Sequence, residues 1–168
     1  PDSYDGSYLT QWQGGEWGIL NRNGNWVKQL KYNQISVWES FYKTDSAGFK
    51  GLLAKDGSVL LPCQYSDFRM ESAGISLFVE SKQGLASKTG TLLIPAIYDQ
   101  VDTLKNGMYR VKNGSFVGYY HANGQRILEA EFPNNGFQGN FCWFQNAAGL
   151  YGLLNHKGEI LIQPTYQY

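Results

Sequence analysis

The chain has little charge and no surplus of either sign. Lys and Arg total 14, Asp and Glu total 14, and charged residues make up 17% of 168 positions. A nucleic-acid or anionic-membrane partner calls for an excess of cations, so this balance argues against both. Long apolar runs are missing too. No stretch of about 18 apolar residues occurs, so nothing in the sequence reads as a membrane-spanning helix. Cysteine is scarce, with only Cys63 and Cys142 and no metal-type spacing between them. Two are too few for a disulfide framework, and each reads as a small buried residue. No signal peptide is visible, and the opening at Pro1 without Met reads as a mature or cut form.

The usual marks of chemistry are absent as well. The sequence has no HExxH, no CxxC, no Asp-x-Asp calcium loop, no Gly-x-Ser-x-Gly elbow and no phosphate loop. "NGSFVG" at 113–118 reads as a turn and a strand opening, because no helix follows to offer its N-terminus to a phosphate. His121 and His156 both sit on the approach to a turn, and a metal site needs at least three converging ligands. Asp67, Asp99 and Asp102 follow the repeat aromatic and are expected to cap turns through their side chains. The sequence therefore predicts no catalytic residues, no metal and no cofactor.

What the chain does have is aromatic residues and glycine. There are 12 Tyr, 9 Phe, 5 Trp and 20 Gly. Abundant turns between aromatic, strand-favouring segments indicate an all-β protein. Half of the glycines fall in two series: Gly18, Gly51, Gly84, Gly118 and Gly152, then Gly24, Gly57, Gly90, Gly124 and Gly158. Both series advance by 33, 33, 34 and 34 residues. Eight residues beyond the second glycine stands an aromatic each time: Tyr32, Tyr65, Tyr98, Phe132 and Tyr166. A fixed period of this length signals repeated supersecondary units.

Within a unit, the segment between the glycines reads as a strand and the second glycine as its turn. Asn23-Gly24, Asp56-Gly57 and Asn123-Gly124 predict a type I′ hairpin, which needs φ > 0 at both central residues. The return strands, such as Val59-Leu60-Leu61 and Ile160-Leu161-Ile162, are apolar on consecutive residues and are expected to be covered on both faces. Trp26 shares a column with Val59, Leu92 and Ile160 and is expected in the core. Pro62, Pro95 and Pro164 are expected to end these strands. A third strand is expected at Ile75–Val79, Met108–Val111 and Phe141–Phe144. The hairpins fall near 17–32, 50–65, 83–98, 117–132 and 151–166 of one repeat domain, 1–168. The prediction is five tandem three-stranded antiparallel meanders of about 33 residues, stacked so that each covers its neighbour. An open array and a small closed, propeller-like ring both fit.

This pattern resembles the WG-repeat (KWG) family of bacterial proteins. The residues that carry the resemblance are Trp17-Gly18-Ile19-Leu20 with Asn23-Gly24, Lys50-Gly51-Leu52, Gln83-Gly84-Leu85 and Tyr151-Gly152-Leu153, with "LLPCQY" and "LLIPAIYD" as apolar-Pro-aromatic tails. The resemblance implies bacterial origin, β-rich repeats, interaction rather than catalysis, and an exported or envelope setting. Only the first unit keeps the Trp. The fourth lacks the Pro before its aromatic and has Pro133 just after Phe132, so its return strand is expected to bend or to face solvent.

In a repeat protein, function is expected where the pattern breaks. Arg22, Lys55 and Lys88, with Lys157 one position away, suggest a row of cations along the hairpin tips. Arg126 falls in an apolar column, followed by Glu129 and Glu131, which places that strand at an edge. The expected partner-binding residues are Arg126, Phe137, Trp143, Trp38, Trp12 and Tyr120. Another protein is the expected partner, and a cell-wall or surface glycan is the alternative, recognised by a row of exposed Trp or Tyr at equivalent positions.

Overall fold

The computed structural model describes the backbone at residues 3–4, 7–11, 17–30, 32–130 and 134–167, and the side chains at 17–26, 32–130 and 136–167. Short runs of Tyr, Phe, Val, Ile and Leu, broken by turn residues, favour pleated, half-buried strands. Among the described residues every regular element is a strand, and there are twenty. No helix is long and apolar enough to cross a membrane.

The strands form five four-stranded sheets, each an antiparallel meander in chain order. Sheet 1 holds β1 (Ser3–Tyr4), β2 (Ser7–Gln11), β3 (Trp17–Leu20) and β4 (Trp26–Leu30). Sheet 2 holds β5 (Gln34–Trp38), β6 (Phe41–Ser46), β7 (Phe49–Leu53) and β8 (Val59–Tyr65). Sheet 3 holds β9 (Asp67–Met70), β10 (Ile75–Val79), β11 (Lys82–Ala86) and β12 (Leu92–Tyr98). Sheet 4 holds β13 (Gln100–Thr103), β14 (Tyr109–Asn113), β15 (Phe116–Tyr120) and β16 (Arg126–Leu128). Sheet 5 holds β17 (Asn134–Gln138), β18 (Phe141–Gln145), β19 (Tyr151–Asn155) and β20 (Ile160–Tyr166).

The expected third strand is present as β10, β14 and β18, but each sheet has a fourth. It is the first strand of the unit (β5, β9, β13, β17), which follows the repeat aromatic directly and, in β9, β13 and β17, has few apolar residues to announce it. Proline does not end the return strands. Pro62, Pro95 and Pro164 lie inside β8, β12 and β20. These are sheet-edge strands, and each shifts register there: Leu52 pairs with Leu61 while Lys50 pairs with Tyr65. A bulge on an edge strand tolerates the missing N–H.

The first glycine column meets that bulge. A Cβ on Gly84 would stand 2.6 Å from the Ala96 nitrogen and the Ile94 oxygen, and one on Gly118 would stand 2.6 Å from the Leu128 oxygen. Only glycine lets the third strand approach the bulged backbone this closely. The second column turns the chain, but not as expected. Its φ values run from +76° to +86°, while the residue before it is not left-handed. The Gly57 N–H donates to the Ala54 carbonyl, and the Ala54 N–H to the Ser58 carbonyl, both at 2.9 Å. This is a type I turn closed by a left-handed glycine. A two-residue loop of the I′ kind occurs instead at Ala47-Gly48, with φ of 54° and 84° between the paired Ser46 and Phe49.

Four core clusters hold the sheets together, each drawn from two consecutive sheets. Ile19 packs with Ile35, Tyr42 and Leu53 between sheets 1 and 2. Phe41, Leu52, Leu61 and Tyr65 pack with Phe68, Ile75, Leu77 and Ala86 between sheets 2 and 3. Leu85, Ile94 and Tyr98 pack with Tyr109, Val111 and Tyr120 between sheets 3 and 4. Met108 and Tyr119 pack with Cys142, Phe144 and Leu154 between sheets 4 and 5. Among the described residues no cluster joins sheet 5 to sheet 1.

Candidate functional site

Each sheet gives one face to the sheet before it and the other to the sheet after it. Alternation along β18 shows this well. Cys142 and Phe144 point back into the core with sheet 4, while Phe141 and Trp143 point the other way. In sheets 1 to 4 the forward-pointing columns are covered by the next sheet. In sheet 5 the same columns are open.

Position by position, the contrast is large. The repeat tyrosine is 2% exposed at Tyr65 and 6% at Tyr98, but 64% at Tyr166. At the start of the second strand, exposure is 5% at Phe41 and, just before β14, 3% at Met108, but 47% at Phe141. Leu52, Leu85 and Tyr119 are buried, whereas their equivalent Leu153 is half-buried. Leu60, Leu93 and Ile127 pack into the core clusters, whereas Leu161 is 51% exposed. Trp143, 49% exposed, completes the face. The result is an apolar patch of Phe141, Trp143, Leu153, Leu161, Ile162 and Tyr166 on one sheet.

The residues that sequence reasoning nominated are not brought together. Trp143 belongs to this face. Arg126 is exposed but lies on sheet 4, ion-paired to Glu129 at 2.5 Å. Its column is not a core column in any described unit: Trp26 is 44% exposed, Val59 55%, Leu92 47% and Ile160 40%. Trp26 is therefore on the surface, contrary to expectation, and the return strands are not covered on both faces at their first residue. Tyr120 is buried; its hydroxyl shares a 2.7 Å hydrogen bond with that of Tyr98, which removes it from any surface. Burial raises the Tyr98 pKa, and the hydrogen bond adds to the effect. Trp38 is packed against Phe41 and Phe68 in the core between sheets 2 and 3. Phe137 stands edge-on to Tyr119 at 5.0 Å between sheets 4 and 5. There it lines a cleft of about 520 Å³ with Lys105, Arg110, Asn140 and His156. Trp12, Glu131, Phe132 and Pro133 lie outside the described side chains. The fourth return strand, β16, is three residues long where β8, β12 and β20 have seven.

The charged groups are mostly tied within the fold. Lys43 bridges to Asp67 on the next sheet at 2.6 Å, Lys82 to Asp99 at 2.6 Å, and Arg110 to Asp102 at 2.8 Å. The three aspartates therefore serve ion pairs; Asp99 also accepts the Gly114 backbone N–H at 2.6 Å, and Asp67 that of Phe68. The Lys43 ammonium lowers the Asp67 pKa. The Gly114 N–H and then Lys82 lower that of Asp99. At Asp102, burial alone would raise it, but Arg110 and Gln100 outweigh burial and the net shift is downward. The expected basic row is interrupted, because Lys55 folds onto the Tyr42 ring, 4.4 Å from its centroid. Among the described residues, no group of three or more His, Cys, Asp or Glu could hold a metal. Cys63 and Cys142 are free thiols; Cys142 is fully buried, and burial raises its pKa.

The model of the WG containing repeat matches residues 17–40, 84–115 and 151–168. Three stretches of the chain are similar to the WG repeat. The matched segments cover less than half of the chain, and the tryptophan that names the repeat survives at Trp17 alone among the first-glycine positions. The spacing of the two glycine columns nevertheless continues through all five sheets. No curated protein sequence matches the chain. Solved structures similar to it include BamB from Moraxella catarrhalis, at 14% identity over 95% of this chain and 58% of that one, with a TM-score of 0.34. Apo AztD from Citrobacter koseri is similar at 12% identity over 96% and 58%, with a TM-score of 0.34. The WD40 β-propeller domain of Doa1 is similar at 9% identity over 94% and 64%, with a TM-score of 0.30. This chain thus spans about three fifths of the length of those proteins, and at these scores they say nothing about what it does.

Sequence reasoning missed the fifth-sheet face, although its signal was present. Tyr166, Leu161 and Leu153 stand in columns that earlier units use for packing, and no described sheet covers them.

Proposed function

We propose that this WG-repeat protein is a non-catalytic protein-interaction module that binds through the open face of its fifth sheet. The observation that carries this reading is the exposure of packing columns, above all Tyr166 at 64% where Tyr65 is at 2%. A contiguous exposed apolar surface marks an interaction site. Large aromatic anchors such as Trp143 and Tyr166 supply most of the energy at such surfaces. Neutral net charge fits recognition by shape and apolar contact rather than by field. A glycan platform is less well supported. The apolar row that recurs at equivalent exposed positions is Trp26, Val59, Leu92 and Ile160, mostly aliphatic side chains that give a sugar ring no face to stack on.

The test is quantitative capture by the immobilised full chain, with the Trp143→Asp/Tyr166→Asp variant beside it. A partner that depends on this face is held by the wild type and by Val59→Asp, and lost by the double variant with its circular dichroism unchanged. Equal retention by the double variant contradicts the reading.

A further inference from the structure

Phe137 and His156 belong to a second place in the fold, between sheets 4 and 5 and away from the open face. Three turns meet at the cleft there. The β13–β14 turn brings Lys105 and Asn106, the β17–β18 turn brings Asn140, and the β19–β20 turn brings His156. Hydrogen bonds brace these turns against one another. Asn106 Oδ1 accepts the Met108 N–H at 3.1 Å, and Asn106 Nδ2 donates to the His156 carbonyl. The His156 N–H donates to the Asn140 carbonyl at 2.8 Å. The rim is therefore fixed before any ligand arrives, which lowers the ordering cost of binding. Asn106 and the His156 backbone are occupied by this bracing, so the imidazole is the part of His156 that can meet a ligand.

The lining includes cations and no carboxylate. Earlier junctions differ. Lys43 of sheet 2 is answered by Asp67 of sheet 3, and Lys82 of sheet 3 by Asp99 at the entry to sheet 4. β17, the first strand of sheet 5, reads Asn-Asn-Gly-Phe-Gln and brings no acid. Arg110 holds the register position of Lys43, opposite Tyr119 as Lys43 is opposite Leu52. Instead of reaching across, it turns back to Asp102 on its own sheet through Nε and Nη2. Nη1 takes no part in that bridge. Lys105, exposed on the neighbouring turn, is in no ion pair among the described residues.

The rest of the lining is apolar. Leu104, Tyr119 and Phe137 contribute, the two rings edge-on at 5.0 Å. The volume of about 520 Å³ lies within the roughly 300–1,000 Å³ of small-molecule sites. We propose that this cleft binds a small molecule that joins an anionic group, carboxylate or phosphate, to a flat apolar ring. Lys105, Arg110 Nη1 and the His156 imidazole hold the anion by charge-assisted hydrogen bonds. The ring lies against Phe137. This site is separate from the fifth-sheet face and does not depend on it.

NMR titration of the isotope-labelled full chain with phenyl phosphate tests this. The expected result is saturable movement of the Asn106, Gly139, Asn140 and His156 amide signals. Lys105→Glu, on an exposed turn, raises the dissociation constant at least about tenfold with the spectrum otherwise unchanged. Lys88→Glu, an equal change of net charge on another exposed turn, leaves it where it was. Inorganic phosphate and benzyl alcohol, each offering half of the proposed ligand, bind at least about tenfold more weakly than phenyl phosphate. No saturable movement at these amides overturns the proposal, and so does an affinity that survives Lys105→Glu or falls equally in Lys88→Glu. Inorganic phosphate binding as tightly as phenyl phosphate overturns the role given to Phe137, and benzyl alcohol binding as tightly overturns the role given to the cations.

Discussion

At the scale of single residues, the two glycine columns do different work, and substitution separates them. Gly84 has an ordinary φ but no room, because a Cβ would overlap the backbone of Ala96 and Ile94 at 2.6 Å. Gly24 has room but a φ of +76°. Gly84→Ala is expected to lower stability by about 2–3 kcal/mol, since overpacking against backbone cannot relax through a side chain. Gly24→Ala is expected to cost about 1 kcal/mol, the ordinary penalty for a left-handed non-glycine residue. Urea denaturation of the two variants checks this, and equal losses would contradict the division. The columns themselves were legible in the sequence, since the period located all ten glycines. The reason for the first column was not, because it depends on a bulge in β8, β12 and β20 that no local pattern announces. The same blindness put Tyr120 on the surface. Its column is aromatic or aliphatic in every unit, and only the packing direction shows that it faces Tyr98.

At the scale of strands and sheets, the sequence announced strands that carry apolar periodicity and hid the one that does not. β9 reads Asp-Phe-Arg-Met and β13 reads Gln-Val-Asp-Thr, so each offers one or two apolar side chains to the core. Their place is set by pairing to β10 and β14 and by ion pairs such as Lys43–Asp67. The aspartates give these links an acid signature. The folded-state pKa values of Asp45, Asp67, Asp99 and Asp102 all lie below the model-peptide range. Their contribution is therefore fully present above the unfolded value near 4 and is lost as pH falls through the lower folded values. The urea midpoint should fall below about pH 4. Asp67→Asn should flatten that fall, and an unchanged acid limb in that variant would remove Asp67 from the account. A second comparison uses one residue type at one repeat position. Phe41→Ala should cost about 3–5 kcal/mol and Phe141→Ala less than about 1 kcal/mol, because only the first leaves a cavity. Similar losses would mean that the fifth sheet's face is covered.

At the scale of the whole molecule, the account is one of sheets in series, each covering the one before. The period made the series visible, and each core cluster is built as it requires, from two neighbouring sheets. The period favoured an open array over a closed ring, because about 33 residues is short for the four-stranded blade of a propeller. Exposure among the described residues agrees: Leu161 and Tyr166 face outward, and the space over Gly24 is empty. The claim on which the functional reading stands is that equivalent side chains differ in burial because no described sheet covers the outer face of sheet 5. Hydroxyl-radical footprinting of the dilute full chain, read residue by residue by mass spectrometry, measures this directly. The account predicts fast labelling of Trp143 and Tyr166 and labelling many times slower at Tyr65 and Tyr98; comparable rates at all three repeat tyrosines would contradict it.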